Sequence, residues 1–340
     1  MSRILLNPGT PESFRVVGPT RGPLALHRRL PGYAVTPLRV APTLARRAGI
    51  AKVLVKDESR RFGLPAFKVL GAWWAVYRVL ARRLGDEPEG WSGLEDLRRR
   101  VQPVLPRALA AATDGNHGQG VAHVARQLGI EARVFVPRGT APARVQGIAA
   151  EGAQVVVVDG TYDQTVERAA AEAGPDVLLI QDASWPGYEE IPRWIEEGYG
   201  TLFWELEEQL AAEPDLPGLV LVQIGVGALA AAAVRHFRRE GLALPVRLVG
   251  VEPISAACVL ESAAAGRVVR IPVGPEASVM VGLTCGTPSA TAWPDLEAGL
   301  DAFLAIEDEA AKTGMRLLAA DGIVAGETGA AGAGGLLELF

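Results

Sequence analysis

Only four of the 34 basic side chains are lysines, Lys52, Lys56, Lys68 and Lys312, so a lysine departs from this chain's default cation. Lys68 follows the glycine and proline turn Phe62-Gly-Leu-Pro-Ala-Phe and opens an apolar run, Val69-Leu-Gly-Ala-Trp-Trp, that reads as the first turn of a buried helix. Arginine cannot form an imine. A lysine desolvated by neighbours such as Phe67, Val69 and Leu70 can lose its proton, and the free amine attacks aldehydes and other carbonyls. The structural alternative is a stem packed along the helix with its ammonium reaching water.

Two glycine-rich loops accompany it. Thr113-Asp-Gly-Asn-His-Gly-Gln-Gly puts Asp114 and Asn116 where a helix begins, and its glycines let backbone approach a ligand closely; an ordinary N-cap is the alternative. In Val222-Gln-Ile-Gly-Val-Gly-Ala-Leu-Ala a strand runs through glycine directly into a helix, the geometry in which backbone amides and the positive helix end hold a phosphate. Gly225, Gly227 and Ala230 also match part of a dinucleotide fingerprint. Glu252 follows Gly227 by 25 residues, beyond the usual interval of about 20. A nicotinamide-dependent oxidoreductase is therefore a rival reading, although it leaves Lys68 and the Asp114 loop unused. Asp182, directly after an apolar run, is either an Asx-turn or a carboxylate delivered to a site.

Short β-branched runs alternate with alanine-rich amphipathic stretches, and this is what must position these groups. Strands are predicted over 51–56, 133–136, 154–158, 177–181, 219–224 and 247–251, and helices over 67–84, 118–128, 141–151, 162–173, 191–209 and 228–239. The alternation predicts an α/β fold whose parallel sheets are covered on both faces, with ligands beyond the carboxyl ends of the strands. Residues 85–107, with proline, glycine and clustered charge, read as a surface excursion near a lobe boundary.

With 340 residues, 49% of them hydrophobic, the chain can bury a large core in two lobes. A net charge of −5 without a basic block leaves no nucleic-acid footprint. The stretch 218–234 is too short and too interrupted by Gln223, Gly225 and Gly227 for a membrane span. The N-terminal residues lack the apolar core of a signal peptide and two cysteines make no disulfide scaffold, so a cytoplasmic protein is expected. Four histidines spread along the chain, with Cys258 well apart from Cys285, give no zinc spacing.

An imine-capable lysine, a loop suited to an aromatic ring and a phosphate cup on a separate strand are together the needs of pyridoxal 5′-phosphate. The chain resembles the fold-type II pyridoxal phosphate enzymes and, within them, the diaminopropionate ammonia-lyase family. The resemblance rests on Val55-Lys-Asp-Glu-Ser-Arg-Arg-Phe-Gly-Leu with Ala66-Phe-Lys, Ala112-Thr-Asp-Gly-Asn-His-Gly, Ile180-Gln-Asp-Ala-Ser-Trp-Pro-Gly-Tyr, Gln223-Ile-Gly-Val-Gly-Ala, Gly250-Val-Glu-Pro, Gly282-Leu-Thr-Cys-Gly and Gly326-Glu-Thr-Gly-Ala, in that order almost end to end.

It implies two lobes, each with a mostly parallel twisted sheet covered by helices: a large domain of residues 1–70 and 187–340 that binds cofactor, and a small one of 71–186. Lys68 would carry the cofactor as an imine, Phe67 would pack near the ring, Asn116 would meet the pyridoxal oxygen, and the amides of Gly225, Val226, Gly227, Ala228 and Leu229 would take the phosphate, with Glu327 retained nearby. His117 receives no chemistry. Asp114 and Asp182 would bracket the substrate in an α,β-elimination of D- or L-2,3-diaminopropionate to pyruvate and ammonia.

A homodimer acting on a small amino acid, in amino-acid catabolism, is implied in the same way. The resemblance further implies a helix and a last strand beyond Phe340 that supply a partner for the pyridine nitrogen. A serine or threonine dehydratase-like lyase and a truncated, inactive relative are the alternatives. For Cys258 and Cys285 two buried thiols are expected in a cytoplasmic chain; the resemblance keeps a disulfide or a redox-sensitive lid open.

Overall fold

Apolar runs bounded by turn residues become strands wherever helices cover them. The computed structural model describes residues 2–7, 14–85, 87, 90–113, 115–213, 215–242, 246–274 and 277–340. Among these residues ten strands form: β1 (Arg3–Leu6), β2 (Leu38–Val40), β3 (Leu54–Lys56), β4 (Ala108–Ala112), β5 (Glu131–Pro137), β6 (Gln154–Val158), β7 (Val177–Leu179), β8 (Leu219–Gln223), β9 (Arg247–Pro253) and β10 (Ala302–Ile306). The described chain divides into two compact units, one of Met1–Thr20, Thr36–Ser59 and Leu202–Phe340, the other of Arg21–Val35 and Arg60–Thr201.

The second unit is built on a four-stranded sheet in the order β6-β5-β4-β7, parallel throughout, with Leu109 of β4 opposite Ala132 of β5 and Leu178 of β7. All five residues of β4, Ala-Leu-Ala-Ala-Ala, are fully buried. Helix-favouring alanines make a strand here because their small side chains let the covering helices come close on both faces, a packing gain larger than their weak propensity. The Lys68–Leu84 helix packs on the Asn116–Leu128 helix, where a Cβ on Gly120 would stand 3.0 Å from the Val69 backbone. Lys68 therefore belongs with this unit, as do residues 187–201, whereas the resemblance assigned both stretches to the domain of residues 1–70 and 187–340. The 85–107 excursion also lies in this unit and carries the Leu94–Val101 helix.

The first unit holds a second four-stranded sheet, β1-β10-β9-β8, parallel except for the edge strand β1, and a small antiparallel pair, β2 with β3. Its core is the apolar face of β9 and β10 (Val249, Val251, Leu304, Ile306) against Ala310, Ala311 and Ala331 of the last two helices, Asp308–Ala320 and Ala331–Leu339. No helix among the described residues is long and apolar enough to cross a membrane.

The expected alternation is present: every predicted strand and helix overlaps an observed one, most within three residues.

Candidate active site

The lysine end of the site lies in the second unit, and its position follows from one helix crossing. The Lys68–Leu84 helix meets the Glu190–Leu210 helix backbone to backbone: a Cβ on Gly198 would lie 2.7 Å from the Gly71 Cα, and one on Gly71 would lie 2.8 Å from the Ile195 carbonyl oxygen. Only glycines allow that approach. It sets the Tyr199 ring edge-on against Phe67, centroids 4.9 Å apart, with the Lys68 Nζ 5.6 Å from the Tyr199 centroid and 5.8 Å from that of Phe67.

Asp182 reaches the same point from β7. The chain leaving that strand is pinned at each step: Ala112 N–H donates to Gln181 Oε1 at 3.0 Å, His117 Nε2–H donates to the Ile180 carbonyl at 2.8 Å, and the Tyr188 hydroxyl both accepts from Gln181 N–H and donates to the Leu179 carbonyl, each at 2.9 Å. Trp185 stacks on Tyr188 with ring centroids 4.4 Å apart. The Asp182 carboxylate so held receives the Lys68 ammonium at 2.7 Å, and His117 Nδ1 stands 3.8 Å away. Lys68 thus is neither the solvated ammonium of the structural alternative nor an isolated free amine; it is an ion pair with a side chain 25% exposed, against 10% for Asp182.

Burial alone would raise the Asp182 carboxyl, yet the charges of His117 and Lys68 and the Lys68 hydrogen bond outweigh it and hold the group at about 2. Tyr199, fully buried, is pushed far above the ordinary phenol range by burial, with the Lys68 charge opposing. His117 and Tyr199 are the residues that sequence reasoning left without a part. Tyr199 gave no local signal beyond its two flanking glycines, Gly198 and Gly200. Asn116 is the exposed first residue of the Asn116–Leu128 helix, and Asp114 lies outside the described residues.

The phosphate-cup residues lie in the first unit. β8 ends at Gln223, and the Ala228–Phe237 helix begins behind Gly227, an N-cap at φ +105° that has no side chain of its own to cap the first-turn amides. A Cβ on Gly225 would stand 2.9 Å from the Gly282 carbonyl oxygen, and one on Gly227 would stand 3.2 Å from the Ala292 Cβ. Main chain closes on Gly225 and the side chains of Leu296 and Ala292 close on Gly227, so neither position admits a Cβ, and the glycine turn leads through Val226 into Ala228 and Leu229 at a helix N-terminus, where main-chain amides can hold an anion. The second unit thus holds a primary amine, Lys68, and the first holds a glycine turn at a helix N-terminus. Glu327 is half-buried in the turn before the last helix.

Glu252 corrects the dinucleotide reading. It is fully buried, and its two carboxylate oxygens accept the N–H groups of Val259 and Leu260 at 2.8 Å each, capping the Cys258–Ala265 helix. Burial raises this carboxyl to about 8 against those two bonds. A side chain so committed cannot hold a ribose. Cys258 and Cys285 both carry free thiols, the first buried and the second half-buried.

Residues 29–340 match the family model of the pyridoxal-phosphate dependent enzymes. The chain is 38% identical over 331 residues to the diaminopropionate ammonia-lyase of Salmonella typhimurium, covering 93% of this chain and 81% of that protein. A crystal structure of the diaminopropionate ammonia-lyase from Escherichia coli, in complex with an aminoacrylate-PLP azomethine reaction intermediate, superposes with a TM-score of 0.88 at 34% identity over 99% of this chain and 86% of that one. The biosynthetic L-threonine dehydratase of Mycobacterium leprae is more distant, 28% identical over 320 residues, 92% of this chain and 66% of that protein.

Proposed function

The chain belongs to the diaminopropionate ammonia-lyases among the pyridoxal-phosphate dependent enzymes, and from that premise we propose that it eliminates ammonia from D- or L-2,3-diaminopropionate and yields pyruvate. The observation that carries the reading is the pairing of Lys68 with a buried aspartate at the carboxyl end of a parallel strand. When bound, the cofactor supplies an electron sink that acidifies the substrate Cα–H.

Lys68 would hold the cofactor through its side-chain amine. Phe67 would pack toward the ring, Asn116 would meet the pyridoxal oxygen, the amides from Gly225 to Leu229 would take the phosphate, and Glu327 would be a further contact. Asp182 holds the substrate's second amine or accepts the Cα proton. Its low affinity for protons depends on the charges of His117 and Lys68, and once the Lys68 charge is engaged elsewhere, burial has less to oppose it, draws the carboxyl upward and makes it a better base. His117, through its bond to the Ile180 carbonyl, keeps Asp182 aimed. Asp114 is the second carboxylate, serving the enantiomer that Asp182 does not. The family setting supports a homodimer acting in the cytoplasm in amino-acid catabolism.

The higher identity to the ammonia-lyases than to the dehydratase favours a β-amine over a β-hydroxyl as leaving group. The commitment of Glu252 to a helix cap speaks against a nicotinamide cofactor. The decisive measurement follows pyruvate from each enantiomer with the wild type, Asp114→Asn and Asp182→Asn. Each variant is expected to lose one enantiomer's rate by about 100-fold or more, the usual scale of a general base. Unchanged rates in both variants remove the two-carboxylate scheme, and no pyruvate from the wild type returns the inactive-relative reading.

A further inference from the structure

We infer that Tyr199 is a positioning residue for Lys68: its hydroxyl donates a hydrogen bond to the neutral amine, whereas Asp182 holds the ammonium, so that the two form a two-position holder for one nitrogen. The inference rests on the reading of Lys68 as the cofactor's amine and deepens it. Its basis is geometric. The Tyr199 hydroxyl is sealed from solvent and has no partner at full hydrogen-bond geometry among the described residues; Lys68 is the one side chain whose hydrogen bonding bears on it, and the Lys68 ammonium and the Asp182 and Glu196 carboxylates are the opposite charges that act on it. A buried hydroxyl left without a firm partner is costly, and phenylalanine in the same edge-on packing against Phe67 would avoid that cost. The hydroxyl therefore serves a state of Lys68 other than the ion pair.

That state is the unprotonated one. A neutral amine has a lone pair and needs a donor; a carboxylate cannot donate, and a phenol with its proton held firmly by burial can. The titratable groups around the pair, among the described residues, are Asp182, His117 beside it, Tyr188 behind it, and Glu196 one turn before Tyr199. Of these, Asp182 and Glu196 favour the ammonium, a charged His117 opposes it, and Tyr199 as a donor favours the amine. The ring face contributes equally in tyrosine and phenylalanine, so Tyr199→Phe isolates the hydroxyl.

The test uses cofactor-free protein. Lys68 is labelled in competition by acetic anhydride across pH 6–11, and the modified peptide is quantified by mass spectrometry in the wild type, Tyr199→Phe and Asp182→Asn. Loss of one hydrogen bond to the amine is expected to raise the Lys68 midpoint by about one pH unit in Tyr199→Phe, roughly a tenfold drop in labelling at a fixed pH below the midpoint, and Asp182→Asn is expected to move it the other way. Near-ultraviolet circular dichroism reports whether each variant keeps its packing. A correctly packed Tyr199→Phe with an unmoved midpoint overturns the inference; a purely structural tyrosine would change unfolding and leave the midpoint in place. Rescue by Tyr199→3-fluorotyrosine, which restores a donor, is expected to return the midpoint toward the wild type, and its failure also overturns the inference. Absence of any borohydride-trapped adduct on Lys68 of the holoenzyme would instead sink the lyase reading and leave the amine measurement standing.

Discussion

Gly227→Ala should separate the phosphate cup from the rest of the binding energy. The residue sits at φ +105°, outside the conformations that L side chains adopt easily, and its new Cβ would lie 2.5 Å from the Leu296 Cδ1 and 3.2 Å from the Ala292 Cβ. The leucine methyl can swing aside, but the Ala292 carbon moves only with its backbone. Backbone strain of about 1–2 kcal/mol and overpacking of about 1–3 kcal/mol together give a destabilisation of about 2–5 kcal/mol. Relief requires the peptide to shift, which displaces the first-turn amides. Losing one charge-assisted bond to phosphate, about 1.5–3 kcal/mol, weakens pyridoxal phosphate by roughly 10- to 150-fold while leaving phosphate-free pyridoxal nearly unaffected.

The assay is a pair of absorbance titrations with the two aldehydes, alongside urea unfolding. Gly266→Ala is the control, with a positive φ of +63° and open space around it, so that it carries strain without touching the cup. Were Gly227→Ala to keep the wild-type preference for the phosphorylated aldehyde within twofold, the assignment of the cup would be wrong.

Two further outcomes follow from buried carboxyls. Asp182, held at about 2 against an ordinary 3.8, contributes stability that is whole above about pH 4 and lost as pH falls toward 2; in cofactor-free protein this amounts to about 2 kcal/mol, so acid unfolding of Asp182→Asn should lack that arm, and parallel profiles would refute the ion pair. Glu252 is shifted the opposite way, from 4.5 to about 8, so its contribution is full at acid pH and declines as pH rises through 8; wild-type stability measured from pH 5 to 9 should fall relative to Glu252→Gln, whose curve is flatter but starts lower by about 1–3 kcal/mol for the lost main-chain bond.

The parts of this molecule legible in the sequence are those encoded locally. Alternating apolar runs located the strands, and Lys68, Asp182 and the Gly225–Leu229 turn stood out because residue type and neighbours alone restrict what they can do. The Ala108–Ala112 strand was legible only as an apolar run, since five small residues carry no period and their strand state comes from burial between β5 and β7. Tyr199 was hidden because its meeting with Lys68 spans 131 residues and depends on a helix crossing that no window of sequence contains. Glu252 misled for the converse reason: spacing imitated a fingerprint, while its fate was decided by two amides of the next helix.

The contact of Gly71 with Gly198 also fixes what can change without harm. The joint brings main chain against main chain with Ile195 and Tyr199 seated directly on it, so it has little slack to absorb a larger residue at either glycine. A single methyl at either glycine would meet backbone at 2.7–2.8 Å and push apart the helices that carry Lys68 and Tyr199, so a designer wishing to re-angle that nitrogen could begin there.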